Sequence, residues 1–245
     1  MKYLTSATAF LTAAMMPTAA VYAADTTKHG YGQGTAVDEK NRPCGAVSFT
    51  DQYGDSGAFA LTGDENRIIL TFDQGYENGY TSKILDTLKE KNVQAIFFLT
   101  GDYAKSEPEL IKRMIAEGHI LGNHSMSHAS LPTLSKDEAR NEIMSLHSYL
   151  LNNYGYEMQY FRPPCGEYSE ETIDVTRCCG YKTLFWSFAY VDWKQDSQPE
   201  PTASLQKLLD SAHGGEILLL HSVSATNAEI LGDVIDGFRE KGYIV

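Results

Sequence analysis

Asp73, His124, His128, Arg162, Asp192 and His221 are the polar side chains of this sequence that could together carry out a hydrolysis. Each of the short apolar runs they follow reads as a strand. Asp73 comes after Ile68–Phe72, His124 after His119–Asn123 and Arg162 within Tyr160–Pro163. Asp192 comes shortly after Thr183–Phe188, and His221 ends Glu216–His221. In parallel α/β architectures the carboxyl ends of the strands form the ligand-binding edge, whether the sheet is open or closed. One such residue would be incidental. Their recurrence on one edge points to a site.

Each residue also has a plainer reading. Asp73, in Thr71-Phe72-Asp73-Gln74-Gly75-Tyr76, could be only a turn former. In His124-Ser-Met-Ser-His128 the spacing of four residues would put both imidazoles on one face of a helical turn. That arrangement suits a zinc-class ion, with Gln74, Asp73 or water filling the remaining position. Arg162 precedes Pro163-Pro164, which stiffen its backbone. Its guanidinium fork could hold a carboxylate through two parallel bonds, or form a structural ion pair. Asp192-Trp193 pairs a carboxylate with an apolar wall. His221 closes the run Ile217 to Leu220, where a lone histidine would ordinarily be core. His29, His119, His147 and His213 have no such company and read as structural.

The elements that must position these residues follow from periodicity. Further apolar runs are Val93–Thr100 and a last one starting at Tyr243, of which the sequence holds three residues. Helix candidates lie near 80–91, 107–117, 136–153, 169–179, 202–213 and 227–241. The helix at 136–153 has the clearest ends. Ser135 and Glu138 form a capping box, and Gly155 stops the helix. Seven strands alternating with six helices imply a parallel sheet with helices outside, closed into a barrel or doubly wound.

Residues 24–65 are rich in Gly, Asp, Thr and Gln and show little periodicity, so they read as an irregular N-terminal extension. Residues 1–23 read as an export signal: Lys2, an apolar stretch from Leu4 to Met16, and the cleavage-like Val21-Tyr22-Ala23. The apolar stretch is shorter than the roughly 20 residues of a membrane span. The mature chain is therefore expected outside the cytoplasm with no membrane span. A formal net charge of −12 without a basic stripe argues against nucleic acid as a partner. Cys44, Cys165, Cys178 and Cys179 lack the spacing of a thiolate metal site. A Cys44–Cys165 bridge stays open, and four unpaired thiols are the simpler expectation.

In this order the motifs resemble the polysaccharide deacetylase family, the NodB-like deacetylases of carbohydrate esterase family 4. The resemblance covers Arg67 to the end. It rests on Thr71-Phe72-Asp73, His124-x-x-x-His128, Arg162-Pro-Pro-Cys-Gly166, Asp192-Trp193 and Leu219-Leu-His221. It implies a distorted (β/α)7-type barrel over 66–245, preceded by the irregular extension. The stretches Thr71–Tyr80 and Phe185–Trp193 are most similar to the delta-lactam-biosynthetic de-N-acetylases, which act on muramic acid of spore-cortex peptidoglycan. The resemblance implies peptidoglycan glycan strands as the partner, and a monomer is expected. It also implies a divalent ion, zinc first, with cobalt or another ion as an alternative. The expected ligands are His124 and His128, with Gln74 where most of the family has a second aspartate. An uncharged amide is a weaker donor than a carboxylate.

On this reading Asp73 is the base, Arg162 orients it, and His221, tuned by Asp192, is the acid. The backbone N–H of Cys165 meets the oxyanion, and Trp193 and Leu219 line the acetyl pocket. The same machinery would serve a chitooligosaccharide or poly-N-acetylglucosamine deacetylase, or an O-acetyl esterase. The Gln74 exchange alone would suit a glycan-binding module without catalysis.

Overall fold

The chain is described over residues 24–245 of a computed structural model. The segment read as an export signal, 1–23, lies outside the described residues. In chain order the elements are β1 (His29–Gly30), α1 (Cys44–Tyr53), β2 (Ala58–Phe59), β3 (Ile68–Gln74), α2 (Thr81–Glu90) and β4 (Ile96–Leu99). Then come α3 (Gly101–Ser106), α4 (Pro108–Ala116), β5 (Ile120–Asn123), α5 (Lys136–Tyr154), β6 (Tyr160–Phe161) and β7 (Glu167–Tyr168). The last six are α6 (Glu170–Cys178), β8 (Lys182–Leu184), β9 (Phe188–Ala189), α7 (Pro201–Ser211), β10 (Glu216–His221) and α8 (Ala225–Glu240).

Eight strands form one sheet in the order β2-β8-β6-β5-β4-β3-β10-β9, and every neighbouring pair is parallel. Among the described residues, only β1 and β7 stand apart, as a short antiparallel ribbon. The run expected as one strand at 183–188 is two, β8 and β9, on opposite sides of the sheet order. Between them Phe185 N–H donates to Phe59 C=O, and Ser187 N–H donates to Ile217 C=O. The chain thus crosses from one edge of the sheet to the other, which curls it into a distorted barrel. The run starting at Tyr243 makes only a bridge between Ile244 and Arg67.

Alternation along the strands sorts the side chains into two layers. Leu70, Phe72, Phe97, Leu99, Leu218 and Leu220 join the core under the helices, where α2, α5 and α8 contribute Leu85, Ile143, Leu146, Leu231 and Ile235. Ile96, Phe98, Leu184 and Ile217 fill the concave side. Each fully buried side chain of this size contributes about 1.5–3 kcal/mol. The capping box at Ser135 and Glu138 is present, and Gly155 ends α5 in the left-handed conformation.

The N-terminal segment differs from expectation. It holds a helix, α1, and its own apolar cluster of Ala46, Phe49, Ala58, Ala60, Leu61, Ile173 and Phe185. Its strand β2 pairs with β8 in the main sheet, so the boundary expected at residue 65 falls inside a continuous structure. A two-residue strand is too short to show a period, which is why composition alone read the segment as irregular.

Candidate active site

One cavity of about 810 Å³ opens at the carboxyl end of the strands. It brings together Asp73, His124, His128, Cys165, Trp193, Leu219 and His221. Asp73 and His221 arrive there by register. They are direct partners across the β3–β10 ladder, at the ends of two neighbouring strands.

Arg162 lies beneath Asp73, fully buried. Pro163 and Pro164 follow it, and β6 stops at Phe161, since proline cannot donate to a ladder. One arm, Nη1, donates to Asp73 Oδ1 and to Thr71 Oγ1, each at 2.8 Å. Nε and Nη2 donate to the carbonyls of Leu184 and Phe185. The expected two-armed grip on a carboxylate is therefore absent. The remaining donors satisfy carbonyls where the chain leaves β8. Phe98 packs under the guanidinium at 4.2 Å from its centroid. Burial pushes the Asp73 carboxyl up, but Arg162, His124 and His221 outweigh it and hold Asp73 below the usual carboxylate range.

His124 and His128 come together without a helix. Their segment is a loop in which Ser125 and His128 have φ of 66° and 58°. The ring centroids are 4.8 Å apart. The loop is fastened to α5: Met126 N–H donates to Glu142 C=O, and the N–H and hydroxyl of Ser127 both donate to the Glu142 carboxylate. His124 Nδ1 pairs with Arg162 C=O at 2.8 Å, so that nitrogen carries the proton. Its Nε2 is left with a free lone pair, 3.6 Å from Asp73 Oδ2. Burial brings His124 down to about 4 and lowers His128 as well, so both rings are neutral near pH 7.

His124 and His128, neutral and with one ring oriented by a backbone carbonyl, are the side chains that could donate to a divalent ion. No cluster of three or more His, Cys, Asp and Glu side chains is gathered around them among the described residues. Gln74 does not join them. As the residue after the inward-facing Asp73, it takes the opposite side of β3, where Nε2 donates to Ser222 Oγ. Its Oε1 is buried without a partner among the described residues, and Gln74 is absent from the cavity wall. Its expected role as a ligand does not follow from this placement.

Asp192 is fully buried behind His221. Its Oδ1 accepts from His221 Nδ1 at 2.7 Å, and its Oδ2 accepts from the His221 backbone N–H at 2.8 Å. The free Nε2 of His221 is left for the cavity that the ring lines. Burial favours the neutral ring, but the Asp192 carboxylate overrides it and raises the His221 pKa. Sequence reasoning missed Asn227, whose Nδ2 also donates to Asp192 Oδ2 and whose Oδ1 accepts from Tyr190. Asn227 occupies the stripe of α8 that continues as Ile230, Leu231 and Val234. A polar residue in an apolar stripe is the signal that could have found it.

Cys165 adopts φ 57°, and its N–H donates to no group of the described residues. Burial and Glu167 push its thiol up, so it stays protonated. All four cysteines are unpaired, and Cys44 and Cys165 are exposed. Trp193 is 45% exposed and stands 5.3 Å from the His221 ring.

The polysaccharide deacetylase family model matches residues 60–184. Peptidoglycan-N-acetylmuramic acid deacetylase PdaA of Bacillus subtilis is 46% identical over 180 residues, covering 73% of this chain and 68% of that protein. A peptidoglycan-N-acetylglucosamine deacetylase of Bacillus cereus is 36% identical over 191 residues, 77% of this chain and 67% of that protein. The solved structure of Bacillus subtilis PdaA, a family 4 carbohydrate esterase, superposes with a TM-score of 0.84 at 40% identity. It covers 90% of this chain and 94% of that one.

Proposed function

The chain belongs to the polysaccharide deacetylase family, and on that premise we propose that it hydrolyses the acetamide of N-acetylmuramic acid in peptidoglycan. The carrying observation is the pairing at the ends of β3 and β10. An ionised Asp73 on Arg162 sits opposite a protonatable His221 on Asp192, with two imidazoles beside them.

The residues divide the work as follows. Arg162 occupies Asp73 Oδ1, which leaves Oδ2 to accept a proton from the attacking water. The water oxygen bonds to the acetyl carbon, and the Cys165 N–H donates to the oxygen that becomes negative. Such a donor contributes roughly 3 kcal/mol. His221 Nε2 then gives a proton to the sugar nitrogen as its bond to the acetyl carbon breaks, releasing acetate and the amine. Trp193 and Leu219 shape the acetyl pocket. A zinc-class ion held by His124 and His128 would polarise the carbonyl and acidify the water. Cobalt or another divalent ion suits the same donors.

The muramic preference rests on the similarity to PdaA and on the Thr71–Tyr80 and Phe185–Trp193 stretches. The amine product would lead to the delta-lactam of spore cortex. A peptidoglycan substrate places the enzyme outside the cytoplasm, in keeping with an export signal at 1–23. No helix of the described residues is long and apolar enough to cross a membrane. One observation favours a second reading, an uncharged N-acetylglucosamine residue. Among the described residues, no lysine or arginine lines the cavity to meet the carboxylate of peptide-free muramic acid.

Mass analysis after incubation with peptide-free muramic glycan and with N-acetylglucosamine oligomers separates these readings. Loss of one acetyl from muramic residues is expected. Deacetylation of glucosamine alone would transfer the assignment to the second reading, and no acetate from either would overturn both.

A further inference from the structure

Tyr31, Gln33 and Trp186 form a wall of the same cavity, and none takes part in the chemistry above. Tyr31 and Gln33 come from the N-terminal segment, and Trp186 from the stretch between β8 and β9. Gln33 Oε1 accepts from Trp186 Nε1 at 2.8 Å, and Gln33 Nε2 donates to Ala189 C=O at 3.1 Å. Tyr31 hydroxyl donates to Trp186 C=O, and its N–H donates to Gly166 C=O. The Tyr31 ring meets the indole edge-on, with centroids 5.2 Å apart. Gly166 sits against the indole, and a Cβ there would come within 2.8 Å of it.

The consequence is a half-buried indole that is held from several sides and whose only polar atom is already satisfied. What it offers the cavity is apolar ring surface. A pyranose presents the matching partner, an uncharged face of axial C–H bonds, and large rigid aromatic rings bind such surfaces at low entropic cost. The cavity volume of about 810 Å³ also exceeds what one sugar needs, lying high in the range of roughly 300–1,000 Å³ that accepts a drug-sized molecule.

We infer that Trp186, fixed by Tyr31 and Gln33 of the N-terminal segment, is a second sugar subsite, which takes the ring of the hexosamine next to the one deacetylated. This rests on the glycan-deacetylase reading above. Because the wall offers ring surface and no charge, it senses chain length rather than the substituents of the neighbouring sugar.

The chain has two tryptophans, Trp186 and Trp193, so fluorescence can assign the signal. The full mature chain, its Trp193→Phe variant and two subsite variants, Trp186→Phe and Gln33→Ala, are titrated with N-acetylglucosamine oligomers of increasing length. In Trp193→Phe, quenching of Trp186 is expected with the disaccharide and longer oligomers and not with the monosaccharide. Affinity should rise about tenfold from one sugar to two in the parent, and that gain should shrink to about twofold in both subsite variants. The inference falls if the monosaccharide quenches Trp186 as fully as the disaccharide. It also falls if both subsite variants, folded by circular dichroism, keep the parent's gain. Disaccharide binding with Trp186 quenching but no acetate release from any glycan would sink the proposed reaction and leave the subsite standing.

Discussion

Asp73 and His221 face one another with opposite charge preferences, and their partners explain why. Arg162 keeps the first ionised, and Asp192 keeps the second protonated to a higher pH than a free imidazole. Acetate release from Asp73→Asn or His221→Ala should fall on the order of 10²–10⁴-fold. Parental activity in either variant would remove the role assigned to it. The raised His221 pKa also sets a pH limb. The acid must be protonated, so kcat/KM should decline as pH rises through a value above 6.5. In Asp192→Asn that limb should move to lower pH, and an unmoved limb would dissociate it from His221. The same raised pKa contributes stability that is complete below the unfolded value and fades as pH climbs through the folded one. Arg162 is less replaceable than a surface cation. Arg162→Ala leaves Asp73 buried and unpaired, and urea unfolding should show a loss of about 3–5 kcal/mol.

At the scale of the element, the loop carrying His124 and His128 is the part most open to disturbance. It holds two residues at positive φ, and Glu142 of α5 supplies the bonds that keep it there. Gly101 at the start of α3 packs on the loop so closely that a Cβ would strike the backbone of Met126. Glu142→Ala should therefore weaken zinc binding by about 10–100-fold in a calorimetric titration, as loss of an orienting partner commonly does. Unchanged affinity would show that the loop holds its shape without the Glu142 carboxylate, on the remaining bond from Met126 N–H to the Glu142 C=O. The cap at Ser135 is a separate matter. Its loss would cost about 1 kcal/mol of stability and leave the imidazoles in place.

For the molecule as a whole, the N-terminal segment is part of the barrel. β2 extends the sheet, the Phe49 cluster packs against Phe185, and Tyr31 and Gln33 reach the cavity. Stability and the cavity wall are therefore coupled through one aromatic group. Phe49, 5% exposed, touches Tyr31, Tyr53, Tyr168 and Phe185. Phe49→Ala should cost about 3–5 kcal/mol in urea unfolding. A loss below 1 kcal/mol would mean that the segment is an accessory to an already closed barrel.

The alternation of apolar runs and amphipathic stretches was enough to establish a parallel sheet with helices outside, and to put Asp73, His124, Arg162 and His221 on one edge of it. Those are properties of local period and of strand direction, which a chain carries in its own order. The helix limits were legible for a related reason, since caps such as Ser135 with Glu138 act within one turn. Only the tertiary structure decided which side chains meet. It gave Arg162 one bond to Asp73 instead of two, because the carbonyls of Leu184 and Phe185 compete for its donors. It turned Gln74 away from the imidazoles, a matter of one residue of pleat. It brought in Asn227, Tyr31 and Gln33 through contacts spanning 35 to 156 residues, which no local pattern records.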